Sequence, residues 1–348
     1  MSLASALRTG DLAQLPSRRD EDWRWTDLRA LLRTLPPRSP EADSPHPGPF
    51  ASLQPGVLLF VNGRAVFPDV DAAGNTPNGP GGTKGLRFVS AADGTSHAAN
   101  VPLSFSAGTT TVILESYEGS GRGYVTDVEL DFDLEAGARV ERIVMADDVA
   151  DAITVSHATV RMAPGSHFAQ TILTSGARRQ RIETQIMHPG GGASVRLDGV
   201  YLLEAQRHAD LTTVVTHEAV DGVTSQLTKG VVRDQARGVF QGRIVVAEGA
   251  DRTDARMGHH ALILSDRAEV DAKPELLIFA DDVQCAHGNT VGRLDEDALF
   301  YAMQRGMDAD TARALLTEAF VGEVIDRIEH DGAREAARAW VAARLGSV

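Results

Sequence analysis

The residues best suited to chemistry in this chain lie in Pro274-Glu275-Leu276-Leu277-Ile278-Phe279-Ala280-Asp281-Asp282-Val283-Gln284-Cys285-Ala286-His287-Gly288. The segment holds the single cysteine of 348 residues, two positions from a histidine. A strand-like run leads into the pair. On an extended segment alternate side chains share a face, so the Cys285 thiol and the His287 imidazole point the same way. A soft thiolate and an imidazole suit iron or zinc. Two ligands do not hold a metal alone, so the rest must come from elsewhere. The plain alternative is a small apolar cysteine facing a strand-built interior, with the histidine hydrogen-bonded in a turn.

Other candidates are weaker. His259 and His260 adjoin on a strand-like run and should face opposite sides, which assigns them ordinary surface and loop roles. His157, His167, His188, His208 and His217 form no ligand spacing such as HExxH. Asp281 and Asp282 invite comparison with a polysaccharide-processing acid/base pair, but neighbours on a strand diverge. The Gly74 to Gly79 spacing is followed by Pro80 where a phosphate loop needs lysine, so ATP chemistry belongs to another chain. A GxSxG elbow is absent. Trp23 and Trp25 read as anchors of N-terminal helices rather than as a peptide-docking pair.

Composition narrows the field. One cysteine excludes an internal disulfide, a CxxC redox pair and a cluster held by four cysteines of this chain. A net charge of -14 argues against nucleic acid and anionic membrane surfaces. No apolar run approaches the roughly 20 residues needed to cross a bilayer, and the N-terminus lacks the pattern of a secretory signal. The expected setting is soluble, reducing and cytoplasmic.

Several elements must position the pair. Residues 1–35 read as helical, with Leu28, Leu31, Leu32 and Leu35 at helical spacing and Asp20, Glu21 and Asp22 at a helix start. Pro36-Pro37 ends the helix. The proline-rich stretch to residue 56 reads as an extended linker, and 71–85 as a second loose segment. Short β-branched runs then recur from 86 to 291, among them Thr111–Leu114, Arg139–Val144, Leu211–Thr216, Gly242–Val246 and Ala261–Leu264. Stacked sandwiches, a propeller or a parallel β-solenoid would fit. Val231, Val245, Ile263 and Ile278 recur at about 14 to 18 residues, which favours the rungs of a β-helix.

From 295 the chain turns helical. Asp295 and Asp308 are the expected caps, and Gly306 ends the first helix. The second should bury Ala312, Leu315, Leu316, Ala319, Phe320, Val324 and Ile328. Ala336, Trp340 and Leu345 anchor the third. The division is thus 1–56, a β-helix core over 57–292, and a helical region over 293–348. The open ends of such a coil must be capped or used, either by the terminal helices or by pairing with a partner chain as an interface.

The run from Lys273 to Gly288, followed by Asp295-Glu296-Asp297-Ala298-Leu299-Phe300-Tyr301-Ala302-Met303-Gln304-Arg305-Gly306, closely resembles the C-terminal signature of the SufB/SufD family of iron–sulfur cluster assembly scaffolds. Gly242–Val246, Thr253-Asp254-Ala255 and Glu21-Asp22-Trp23-Arg24-Trp25-Thr26-Asp27-Leu28 fit the same family. The likeness is specific over about 195–330 and returns at 17–32. The Cys-Ala-His-Gly motif and the length favour the SufD branch over the SufB branch.

The resemblance implies a mainly β protein, a right-handed parallel β-helix flanked by helical regions. It implies a non-enzymatic scaffold in a complex with SufB and the ATPase SufC. SufB would meet the β-helix end, and SufC would dock on the C-terminal helices around Leu299, Phe300, Tyr301, Arg305 and Gly306. His287 would be the favoured contribution to a nascent, shared cluster site, with Cys285 as a second candidate. No cofactor is expected on the isolated chain. The cluster would be transient, and a flavin in the complex and a homodimer of the isolated chain stay open. The alternatives are a SufB-like paralogue, a β-helix enzyme acting on acidic polysaccharide, and a homodimeric interaction protein without metal chemistry.

Overall fold

The computed structural model describes residues 2–43, 47–53, 56–66 and 81–345. Strands run from Val57 to Gly292 and alternate between a ten-stranded and a seven-stranded sheet. Both are parallel apart from the hairpin of Val57–Val61 with Arg64–Val66. Successive strands therefore coil about eight times between two facing sheets, a parallel β-solenoid. One turn takes 26 residues from Ile153 to its partner Arg179 and 32 from Arg237 to Glu269. The spacing of Val231, Val245, Ile263 and Ile278 is thus a half-turn, and these residues fall on alternate sheets.

In-register parallel pairing stacks equivalent positions into columns. Phe60, Phe88 and Tyr117 stack with ring centroids 5.2 and 5.1 Å apart, and Phe105 stacks on Phe132 at 5.8 Å. Parallel sheets need both faces covered. The inner faces cover each other, so the interior is largely Val, Ile, Leu and Phe. Turns repeat as well. Gly108, Gly137 and Gly165 all take left-handed φ, 67°, 69° and 71°, at one corner of three successive coils, a conformation that favours glycine.

The interior also carries a polar column. Arg142, fully buried, makes a two-bond ion pair with Glu115 at 2.6 and 2.8 Å and donates to Gln170 at 2.6 Å. Thr184 donates to the same Gln170 oxygen across the interior at 3.1 Å. Thr213 and Gln226 pair likewise at 2.8 Å.

Of the two roles open to the ends, capping by the terminal helices is not the one seen among the described residues. These helices cover the outer sheet faces. α1 (Leu3–Thr9), α2 (Leu28–Leu31) and the segment between them pack Leu3, Ala6, Leu28 and Leu15 onto Val125, Ile153 and Val155 of the seven-stranded sheet. α3 spans Glu296–Gln304, α4 Ala309–Ile325 and α5 Asp331–Leu345. α4 and α5 pack Val321, Val324, Trp340 and Val341 onto Leu114, Ile143, Leu173 and Val200 of the ten-stranded sheet. Those outward positions are apolar, so burying them outweighs covering an end.

The N-terminal region is also less helical than its leucine spacing suggests. Besides α1 and α2 it contains only short 3₁₀ turns, Leu12–Gln14 and Glu21–Trp23. Its backbone carbonyls accept from sheet side chains instead: Asp22 from Arg181 at 2.7 Å, with His208 bonded to the Trp25 carbonyl at 3.1 Å. Thr26 donates to Asp210 at 2.6 Å. Trp23 is half-buried, packs with that helical layer, and lies under the Arg181 guanidinium at 4.5 Å.

The linker is extended at Arg38, which pairs with Ser96, but it also carries an anchor. Phe50 is fully buried in the cluster beneath α4 and α5. The caps Asp295 and Asp308 and the left-handed Gly306 stand where expected. Of the face expected for α4, Ala312, Val324 and Ile328 are buried and Leu316 and Phe320 half-buried. Thr317, Val321 and Ile325 are buried, whereas Leu315 and Ala319 are exposed because that flank looks away from the sheet. Residues 71–80, including Gly74, Gly79 and Pro80, lie outside the described residues.

Candidate functional site

Val283–Gly292 is the last strand of the ten-stranded sheet and pairs on one side with Thr253–Ile263. The register sets Cys285 beside Ala255, His287 beside Met257 and Asn289 beside His259. Ala255, Met257 and His259 are buried inside the coil. Residues at matching register share a direction, so Cys285, His287 and Asn289 form the next layer of the interior. No described coil lies above them. Cys285 is half-buried against Phe240, Ile244, Ala255 and Met257, while His287 and Asn289 are exposed.

This edge has unpaired backbone groups, a template for another strand. Its rim is apolar. Phe279 is 65% exposed, and Leu277, Ile278 and Val291 are exposed too. The facing strand, Glu269–Ile278, ends the seven-stranded sheet. Cys285 is a protonated thiol here, since burial pushes its pKa up. A thiol binds metal only after losing its proton. Among the described residues no group of three His, Cys, Asp or Glu side chains could hold a metal ion. The two residues read from the sequence thus stand on one face of the end strand.

Asp281 and Asp282 lie in the turn before the strand, not on it. Both are exposed, and neither is grouped with the interior row.

His259 and His260 do face opposite sides, but His259 has no surface role. It is fully buried, stacked on Phe240 at 4.7 Å, with Nε2 bonded to the Tyr201 hydroxyl at 2.8 Å and Nδ1 to Asn289 Oδ1 at 2.7 Å. His260, outside, bonds Thr290 at 2.7 Å. Sequence reading missed the Tyr201–His259–Asn289 set because its members lie on three coils. The one available signal was that Asn289 continues the alternation of Cys285 and His287.

Burial pushes the pKa of His259, His97 and His208 down to about 4, and that of His217 to about 3. Unfolded histidine titrates near 6.5, so the unfolded chain binds protons first as pH falls. The histidines' contribution to stability is full above pH about 6.5 and drops progressively toward pH 4. It is opposed by Asp127 and Asp198, whose pKa burial raises to about 7, so that the folded chain takes up their protons first as pH falls. Replacing His259 with glutamine should raise the urea midpoint at pH 5 relative to that at pH 7.5, and an unchanged difference between the two would refute the assignment.

A second candidate surface is α3, which packs on α4. Phe300 and Tyr301 are 64% and 60% exposed. The Arg305 guanidinium sits 4.9 Å from the Tyr301 ring, Leu299 is half-buried, and Gly306 ends the helix. With Met303, Met307 and Leu315 these side chains make an exposed apolar patch.

The family model described as "SUF system FeS cluster assembly, SufBD core domain" matches residues 88–320. The iron–sulfur cluster assembly protein SufD of Escherichia coli is 30% identical over 64% of this chain and 52% of its own length. A SufBD family protein of Synechocystis is 29% identical over 59% of this chain and 45% of its own. One from Mycobacterium bovis is 24% identical over 93% and 88%. The chain spans about half the length of the first of these curated relatives.

Proposed function

We propose, because this chain belongs to the SufBD family of the SUF iron–sulfur cluster assembly system and is SufD-like, that it is a non-enzymatic scaffold subunit contributing half of a shared cluster site. The observation that carries this reading is the inward row of Cys285 and His287 on an unpaired end strand, which gives ligands to one side only. A SufB-like partner would extend the solenoid across this edge, cover the apolar rim and supply the missing thiolates. His287 is the favoured ligand, being exposed. Cys285 would serve once a bound metal ion or a partner cation favoured its thiolate.

The exposed patch on α3, with Phe300 and Tyr301 at its centre, would dock the ATPase SufC, whose nucleotide-driven motion would open the site. The cluster is cargo held by few, shared ligands and is released afterwards. The work would take place in the cytoplasm.

The test is co-expression of the tagged chain with its SufB-like and SufC-like partners, followed by affinity capture and iron and sulfide analysis. A three-subunit complex carrying iron and sulfide is expected. Capture of the chain alone, with neither partner and no iron, would overturn the reading.

A further inference from the structure

In the Tyr201–His259–Asn289 set, Asn289 turns its Oδ1 toward His259 Nδ1, and this placement sets the direction of the hydrogen bonds. Asn289 Oδ1 can only accept, so His259 Nδ1 must carry the proton it shares with Asn289. Burial keeps His259 neutral, so its Nε2 carries none and accepts from the Tyr201 hydroxyl. The order is Tyr201 O–H to His259 Nε2, then His259 Nδ1–H to Asn289 Oδ1. The Asn289 oxygen is occupied from within the coil. Its amide N–H₂ group, on the exposed end strand, has no protein partner among the described residues.

His287 precedes Asn289 by two residues on the same inward row, with Cα atoms about 7 Å apart. We propose that Asn289 is a positioning residue whose amide donates hydrogen bonds to an anionic sulfur, sulfide or thiolate, of the cluster held at His287, with Tyr201 and His259 fixing the direction of that donation. This rests on the reading of His287 as a cluster ligand and extends it. Hydrogen bonds to sulfur stabilise the more reduced, more negative state of a cluster and so raise its potential. They also add to retention, a charge-assisted bond of this kind being worth roughly tenfold in an equilibrium constant.

The experiment uses the co-expressed complex. Asn289→Ala and Asn289→Asp are compared with the parent for cluster potential and for the rate of iron loss to a chelator. Asp preserves the acceptor for His259 but puts a carboxylate where the outward donors were, and its charge lowers the potential by itself, so Asn289→Ala decides the matter. The proposal expects both variants to lose iron about tenfold faster and to shift to lower potential, with the complex intact. Tyr201→Phe should move both readouts the same way by less.

Reconstitution with selenide separates the two acceptors. A smaller parent-to-variant difference assigns inorganic sulfide, and an unchanged one assigns a partner thiolate. Parent-like release and potential in Asn289→Ala would overturn the proposal while leaving the shared site standing. A parent complex without iron and sulfide would overturn both.

Discussion

Replacing His287 with alanine is expected to leave the assembled complex intact and to lower its iron and sulfide content by at least tenfold. The side chain is exposed on the end strand and pairs through its backbone with Met257, so its removal takes no core contact away. A half-site has few ligands to spare, and even partners that merely orient a ligand typically alter metal affinity by about 10–100-fold. Cys285→Ser should have the smaller effect, because this thiol is half-buried, protonated and packed against apolar neighbours. Gel filtration with metal and sulfide analysis of the purified complexes decides the matter. Parent-like iron in the His287→Ala complex would remove His287 from the ligand set. A dissociated complex would make the residue an interface contact instead.

Arg142→Met is expected to cost about 3–5 kcal/mol, the usual consequence of removing one partner of a buried ion pair. Glu115 would then be fully buried with its counter-ion gone, and Gln170 would keep only Thr184 of its two donors. The cost comes from stranding the charge rather than from lost contact area. Glu115→Gln combined with Arg142→Met should therefore recover most of the loss. Each coil of a solenoid depends mainly on its neighbours. The damage should appear first as faster amide exchange in Thr110–Gly119 and His167–Thr174, which flank Arg139–Asp147. Urea melts of the single and double variants measure it, and a single variant within about 1 kcal/mol of the parent would contradict the argument.

Strands rich in β-branched residues were visible in the sequence, as at Arg139–Val144 and Gly242–Val246. His167–Thr174 and Arg179–His188 were not, because their inner rows carry Gln170, Thr174, Gln180 and Thr184. Those polar groups are tolerated only because partners on other coils satisfy them, such as Arg142 for Gln170, and that pairing exists only after coiling. The left-handed Gly108, Gly137 and Gly165 were the clearest sign of the full turn. The aliphatic spacing reported the half-turn instead, because both sheets bury the same residue types.

The sequence by itself determined the strand-rich class, the helix starts at Asp295 and Asp308, and the shared face of Cys285 and His287. Each follows from local geometry, the two-residue period of a strand or a capping side chain. Tertiary structure alone decided that this face points inward, that no described coil lies above it, and that the terminal helices cover the sheet faces. It also brought Tyr201 and His259 behind Asn289. Alternation tells which residues stand together. What lies above and below them depends on coils some 30 residues away, whose register is fixed only when the sheets stack.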